Sequence, residues 1–280
     1  MNENEKRVLD RIDEIQSIQI KILDEFTRLC DKYRLLYSLG YGTMLGAVRH
    51  EGFIPWDDDI DVMMPRKDYE IFVKVALSEL KEEFFLQNYR TDPKSIFTYS
   101  KIRMNGTVYK ESMISDIDMH HGVYIDVFPL DYISENLNKD RVLLKRIYML
   151  SKLNRYRAKN RRYFTENKFH KAFISAVHPF IKKVNNTLII KEINRLTMKN
   201  PKNQKEEMTL FLFDGSMYNY KRSKTTSDDF ENFVLVKFVN KNYKVIRNYE
   251  DYLEKNYGDY MKLPKKEERY PKHDIVEIKL

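Results

Sequence analysis

Between Pro55 and Pro65 the chain reads Pro-Trp-Asp-Asp-Asp-Ile-Asp-Val-Met-Met-Pro, and no other stretch restricts the fold so tightly. Ile60, Val62, Met63 and Met64 are residues of a buried strand, yet Asp59 and Asp61 alternate with the first two. Along a β-strand successive side chains point to opposite faces, and residues two apart share one. Residues 59–64 are therefore expected to form a strand that sends Ile60 and Val62 into a core and projects two carboxylates from the other face. Such a strand needs a sheet to lie in and some means of relieving two anions held side by side. A divalent cation does this, and hard carboxylate oxygens suit Mg2+ or Mn2+.

Two plainer readings compete. A solvated acidic turn would gather its acids into one polar block, whereas these alternate with core-type residues. In a calcium loop Asp57, Asp59 and Asp61 would match the first three ligand positions. However, Val62 stands where the turn glycine is required, Asp68 where the closing glutamate belongs, and Pro65 interrupts the loop, so that reading fails. A third acid is expected from Val123-Tyr124-Ile125-Asp126-Val127-Phe128, where Asp126 sits alone in an apolar strand. An unpartnered carboxylate is costly there, so Asp126 needs a partner.

Upstream, Gly40-Tyr41-Gly42-Thr43-Met44-Leu45-Gly46 places a glycine turn before a helix start. Free N–H groups and the positive end of the helix dipole make that a phosphate cradle, and Arg49 and His50, closing the short helix, would add positive charge beside the phosphate. For these two the plainer role is to partner the helix C-terminus.

The rest of the chain mixes helical and strand periodicities, which predicts a mixed α/β fold. Helical spacing runs over 7–33 and 68–85, with a short strand over 35–40, a short helix over 43–49 and a loop over 50–56. A hairpin is expected over 97–108, turning at Asn105-Gly106, and a strand over 123–128 that Pro129 stops. Strand-like residues follow over 232–245, then a helix over 249–257 ended by Gly258.

Charge divides the 280 residues unevenly. The net charge is +8, but residues 137–205 hold 19 Lys and Arg against three acids, leaving the remainder moderately acidic. The chain is thus expected to comprise a catalytic core over 1–136, a basic helical insertion over 137–205 that breaks at His178-Pro179, and a C-terminal part over 206–280 that completes the core. A concentrated positive field attracts polyanions. One cysteine, Cys30, excludes an internal disulfide framework and any zinc site of paired cysteines. The polar N-terminus shows no secretory signal, and no apolar run approaches the roughly 20 residues that span a bilayer. These features suggest a cytoplasmic protein, soluble or at a membrane surface.

Taken together, the motifs resemble a known family. Tyr41-Gly-Thr-Met-Leu-Gly-Ala-Val-Arg-His-Glu-Gly-Phe-Ile-Pro-Trp-Asp-Asp-Asp-Ile-Asp-Val62 resembles the hallmark block of the LicD family, within the nucleotidyltransferase-fold superfamily. Gly122-Val-Tyr-Ile-Asp126-Val-Phe-Pro-Leu-Asp131 resembles its second block. Tyr257-Gly-Asp-Tyr-Met-Lys-Leu-Pro264, with Arg269 and His273 following, resembles its C-terminal end. The resemblance implies a nucleotidyltransferase-like mixed sheet flanked by helices. It makes Asp59 and Asp61 the metal-binding pair, Asp126 the third carboxylate, and Gly42 and Thr43 the donor-binding turn. Threonine keeps the hydroxyl where the superfamily shows glycine or serine. No role for His50, Lys101, Arg103, His120 or His121 follows from it.

The implied activity is transfer of phosphocholine, or a related alcohol phosphate, from CDP-choline or another CDP-alcohol. The acceptor would be a lipid-linked glycan precursor such as teichoic acid, capsule or lipopolysaccharide, and CMP would leave. Asp126 would serve as general base. Lys101 and Arg103, alternating on a strand, would offset charge on CMP, unless they are merely solvated strand-edge residues. A quaternary ammonium donates no hydrogen bond and needs aromatic faces, for which Trp56, Tyr41 and Tyr124 adjoin the motifs.

In the insertion, Phe169, Phe173, Val177, Phe180, Ile181, Val184 and Leu188 fall on one helical face among lysines, a pattern that suits the anionic inner face of a membrane. The rival is an ordinary core helix with a solvated basic face. Two other functions compete: a nucleotidyltransferase that uses NTP and releases pyrophosphate, and a basic nucleic-acid-binding protein in which Tyr148, Tyr156 and Tyr163 stack on bases. The second leaves the acid-bearing strand unexplained and its acidic body would repel the ligand, so no nucleic-acid partner is expected.

Overall fold

The structure is a computed structural model that describes residues 2–158, 176, 178–211 and 216–280. Helix α1 (Glu3–Leu9) opens on a capping box between Asn2 and Glu5, and α2 (Ile12–Lys32) follows after a break at Asp10 and Arg11. The single helix expected over 7–33 is thus two. The reason is tertiary: α1 reaches the last strand, where Asn4 bonds Asp274 and Arg7 bonds the Val276 carbonyl, whereas α2 lies along the sheet. Ile15, Ile22, Phe26 and Leu29 form the buried stripe of α2, at the spacing of one helical face.

The main sheet runs in the order β1 (Ser38–Leu39), β2 (Asp61–Pro65), β6 (Tyr124–Tyr132), β4 (Ser100–Met104), β3 (Phe84–Gln87). Strands β2 and β6 are parallel, and the other pairs are antiparallel. Further along β6 the short strands β7 (Glu207–Thr209) and β8 (Thr225–Thr226) join. Helix α3 (Tyr41–His50) connects β1 to the acidic loop, and α4 (Arg66–Glu79) follows β2. Residues 80–85 are not helical as expected: α4 ends at Glu79, and Phe84 and Leu86 point into the core with the two-residue period of β3.

The hairpin expected over 97–108 does not form. Gly106, at φ +77°, turns the chain, but β4 pairs with β3 and β6, while β5 (Val108–Glu111) leaves to pair with β11 (Ile275–Lys279). Nor does Pro129 stop β6. The Asp126 N–H bonds the Ile60 carbonyl, so even-numbered N–H groups of β6 face β2 and odd ones face the other edge. Pro129 falls between the last β4 pair, at Val127, and the first β7 pair, at Asp131, where the missing N–H leaves no acceptor wanting.

The basic region contributes α5 (Leu137–Ala158) and α6 (Asn186–Thr197). They share a small core of Leu144, Ile147, Ile189 and Ile193 with Ile133, Phe211 and Tyr220, separate from the main core. Pro179 lies inside helical residues 178–181 rather than at a break. The helix closes just after it, through bonds from Lys183 to Phe180 and from Val184 to Ile181 that tighten the final turn. Phe169, Phe173, Val177 and Tyr163 lie outside the described residues. Beyond these helices come α7 (Met217–Arg222), α8 (Ser227–Glu231), the hairpin β9 (Val234–Phe238) and β10 (Lys241–Val245), and α9 (Tyr249–Tyr257) ended by Gly258. Among the described residues no helix is long and apolar enough to cross a membrane.

Candidate active site

The acidic loop is held from below by α2. Gln16 donates to the Asp57 carbonyl at 2.9 Å and Gln19 to the Asp58 carbonyl at 2.8 Å, so two amide side chains fix the backbone that presents the acids. Burial alternates along the segment: Asp58, Ile60 and Val62 point inward, and Asp59 and Asp61 are half-buried on the other side. Regular strand begins only at Asp61, but the bond from Asp126 to Ile60 carries the extended chain back toward Asp59.

Asp61 and Asp126 are register partners across the parallel pair β2–β6. The Thr43 hydroxyl accepts the Asp61 N–H at 2.8 Å, so α3 anchors the first acid of β2. A Cβ on Gly42 would stand 2.8 Å from Asp57 Oδ2; only glycine lets the helix start approach that carboxylate. Tyr41, just before it, has φ +42°, a left-handed conformation rare for an aromatic residue. Its ring is held edge-on to Phe128 and Tyr252, and its hydroxyl lies 3.1 Å from that of Ser223.

Burial and mutual repulsion push these carboxyls upward. Burial raises Asp59 to about 6, against His273 and with Asp58 and Asp126. Asp61 is driven well above the usual range by burial, then by Asp59 and Asp126. Asp57 behaves likewise, through burial, Asp59 and Asp58. Asp126 is raised by burial, which outweighs the opposing Lys101.

Lys101 is buried with its Nζ 2.7 Å from Asp126 Oδ1 and 4.0 Å from Glu111, an ion pair rather than an aligned hydrogen bond. The rings of Tyr124, Phe97 and Tyr99 surround this ammonium at 3.4, 4.7 and 5.6 Å. Arg103, also buried, donates to Gln87 and to the Gly122 carbonyl and lies against Tyr124. Neither is a solvated strand-edge residue. Tyr124 is fully buried and its face is taken by Lys101. Trp56 is half-buried under the Arg269 guanidinium, and Arg49 donates to the carbonyls of Tyr260 and Lys262, tying α3 to the C-terminal segment.

His273 is the residue whose role sequence reasoning missed. Its Nδ1 lies 3.2 Å from Asp58 Oδ2 and its Nε2 3.8 Å from Asp59 Oδ2, so one ring bridges two acids. Burial opposes its charging, but Asp58 and Asp59 prevail and raise its pKa well above the usual value. Asp58 also accepts the Tyr109 hydroxyl at 2.6 Å, while its Oδ1 is buried without a hydrogen-bond partner. The sequence marks His273 only by its place after the C-terminal family block; it reaches the site because β11 pairs with β5.

Among the described residues, Asp58, Asp59 and His273 offer ligand atoms all within 4.8 Å of one another. Two carboxylates, one imidazole and an orphaned buried oxygen fit a divalent cation, and the mixed donor set is compatible with transition metals as well as hard ions. The expected set of Asp59, Asp61 and Asp126 shares only Asp59 with this cluster. Asp61 and Asp126 lie beside it and feel its charge.

This mixed sheet, with acids on adjacent parallel strands and a glycine-threonine helix start beside them, has the make-up of a nucleotidyltransferase-type domain. A family model described as LicD/FKTN/FKRP, nucleotidyltransferase domain, matches residues 34–152. The chain belongs to the LicD family. It is 32% identical over 270 residues, 93% of this chain and 95% of the relative, to the lipopolysaccharide cholinephosphotransferase LicD of Haemophilus influenzae. Shorter matches reach uncharacterized proteins of Rickettsia typhi, at 36% identity over 26% of this chain and 23% of the relative, and of Rickettsia prowazekii, at 29% over 39% and 44%.

Proposed function

We propose that this protein transfers phosphocholine from a CDP-activated donor to a hydroxyl of a lipopolysaccharide-type glycan and releases CMP. The observation that carries the reading is the near full-length relation to a lipopolysaccharide cholinephosphotransferase, in a chain whose acids crowd one site. The donor lies along the Gly42-Thr43 helix start, whose N–H groups suit its diphosphate. The acceptor oxygen bonds to the phosphorus that carries choline, the bond from that phosphorus to the CMP oxygen breaks, and the acceptor proton passes to Asp126. Asp59, with Asp61 and Asp126 or with Asp58 and His273, would hold Mg2+ or Mn2+, which would supply charge neutralisation at the phosphates.

Lys101 keeps Asp126 aimed by the 2.7 Å ion pair, and with Arg103 it adds a positive field for the leaving CMP. Trp56 and Tyr41 offer the half-buried rings for choline, and Tyr124 backs Lys101. Arg49 braces, at Tyr260 and Lys262, the C-terminal segment whose Arg269 lies over Trp56. The basic segment 137–205, joined to the core through the bonds of Arg66 to Asn194 and Thr197, provides contact with the inner membrane face where lipid-linked acceptors lie. Phe180 and Leu188, 70% and 62% exposed on that segment, support this over an ordinary core helix.

The test is a product assay with CDP-choline, a divalent cation and a lipopolysaccharide acceptor. CMP and phosphocholine-bearing glycan are expected, and EDTA should stop both. Pyrophosphate from CTP in place of CMP would overturn the reading in favour of nucleotidyl transfer.

A further inference from the structure

Remote from the carboxylates, the outer side of the α5–α6 pair encloses a cavity of about 960 Å3. Val142, Leu143 and Leu196 give it an apolar lining, and Lys139, Arg146 and Lys199 give it positive charge against one acid, Glu135. Residues 139, 142, 146 and 149 recur at three- and four-residue steps, so Lys139, Val142, Arg146 and Met149 line one face of α5. Val142 and Met149 are 54% and 63% exposed, large apolar side chains left on a charged helix surface. A second hollow of about 470 Å3 shares Val142, Arg146 and Leu196 with it and adds Met149, Leu150 and Glu192. Among the described residues no carboxylate lies within 4 Å of Lys139, Arg146 or Lys199, unlike Lys202 in the same lining, which Glu206 holds at 2.6 Å.

An apolar lining beside cations that outnumber the nearby acids, Glu135 and Glu192, matches a ligand with a hydrocarbon chain on the one and a negative group on the other. We infer that the α5–α6 groove is a binding site for a phosphate-bearing lipid, its phosphate on Lys139, Arg146 and Lys199 and its acyl chain along Val142, Leu196 and Met149. This site is separate from the phosphocholine chemistry and does not depend on it. A diffuse basic surface would attract the same membranes through charge alone; the exposed apolar lining is what distinguishes a seated lipid.

Flotation with phosphatidylcholine vesicles, with and without phosphatidylglycerol, tests the site on the full chain. Binding to the anionic vesicles is expected, weakened about tenfold or more by Lys139→Glu combined with Lys199→Glu. Met149→Asp should weaken it comparably, whereas Lys265→Glu combined with Lys266→Glu should leave it unchanged. Short-chain phosphatidylglycerol below its micellar concentration, titrated calorimetrically, should bind more tightly than inorganic phosphate. Binding that ignores Met149→Asp, or that falls equally with the control pair, overturns the groove in favour of unlocalised charge attraction. Equal affinity for the short-chain lipid and phosphate overturns the acyl-chain contact. Melting curves of each variant show whether the fold is kept, and CMP release from CDP-choline, measured separately, reports on the carboxylate site alone.

Discussion

The acidic loop and the α5–α6 pair handle charge in opposite ways. In the first, burial raises Asp57, Asp59, Asp61 and Asp126, neighbouring acids add to the effect, and Lys101 and His273 are partial counterweights. In the second, cations stand on helix surfaces, spaced by turns and open to water. Dispersed surface charge costs a fold little, whereas crowded buried charge costs it a great deal. A protein keeps the expensive arrangement where a reaction or a ligand requires it, so the cost itself marks the site.

That contrast can be broken most severely at Asp59. Asp59→Asn should lower CMP release about a thousandfold or more, because the site loses a charge that no other group replaces. The same change should stabilise the metal-free protein at pH 7. A carboxyl raised to about 6 opposes folding once ionised, so wild-type stability should fall as pH rises from about 4 through 6. Denaturation at pH 5 and pH 7, wild type against variant, measures the difference; a variant less stable than wild type at both values would contradict it.

Next in size is Arg66, which makes two bonds to Asp131, at 2.8 and 2.6 Å, and reaches Asn194 on α6. Here burial would lower the guanidinium pKa, but Asp131 raises it beyond its ordinary value. Arg66→Ala strands the Asp131 carboxylate and should cost about 3–5 kcal/mol, read by urea denaturation. His273→Gln should cost less, about 1–2 kcal/mol, since glutamine still bonds one acid. Because the histidine's pKa is raised, its contribution is complete below the ordinary value near 6.5 and fades as pH climbs through the higher folded value. The deficit of the variant should therefore shrink in alkali. At the small end, Lys139→Glu or Lys199→Glu should shift stability by no more than about 0.5 kcal/mol. A large loss there would show that the basic surface is structural after all.

Much of this was legible in the sequence where one local rule decided the outcome. The alternation of Asp59 and Asp61 with Ile60 and Val62 announced their two faces, and Gly258 ended its helix where expected. Reading failed where distant segments set local structure. The pull of β11 on α1 split the first helix, and the gap between β4 and β7 let Pro129 stay in β6. For Lys101 and Arg103 the choice between offsetting charge on CMP and lying solvated at a strand edge stayed open, because period two alone cannot say that both faces of β4 are covered. Asp58 was visible as an acid, but its inward turn to Tyr109 and His273 depends on residues 51 and 215 positions away.

The pairing of β5 with β11 also has a temporal side. Synthesis runs from the N-terminus, and domains begin to organise while the ribosome is still adding residues. Asp58 and Asp59 are made long before His273, so the growing polypeptide passes through a period in which its acids lack their imidazole clamp. For that interval the cluster of Asp58, Asp59 and His273 is unfinished, and the finished one exists only after Ile275–Lys279 docks beside Val108–Glu111. Completion of that acidic cluster thereby waits on a strand made about 160 residues after its partner.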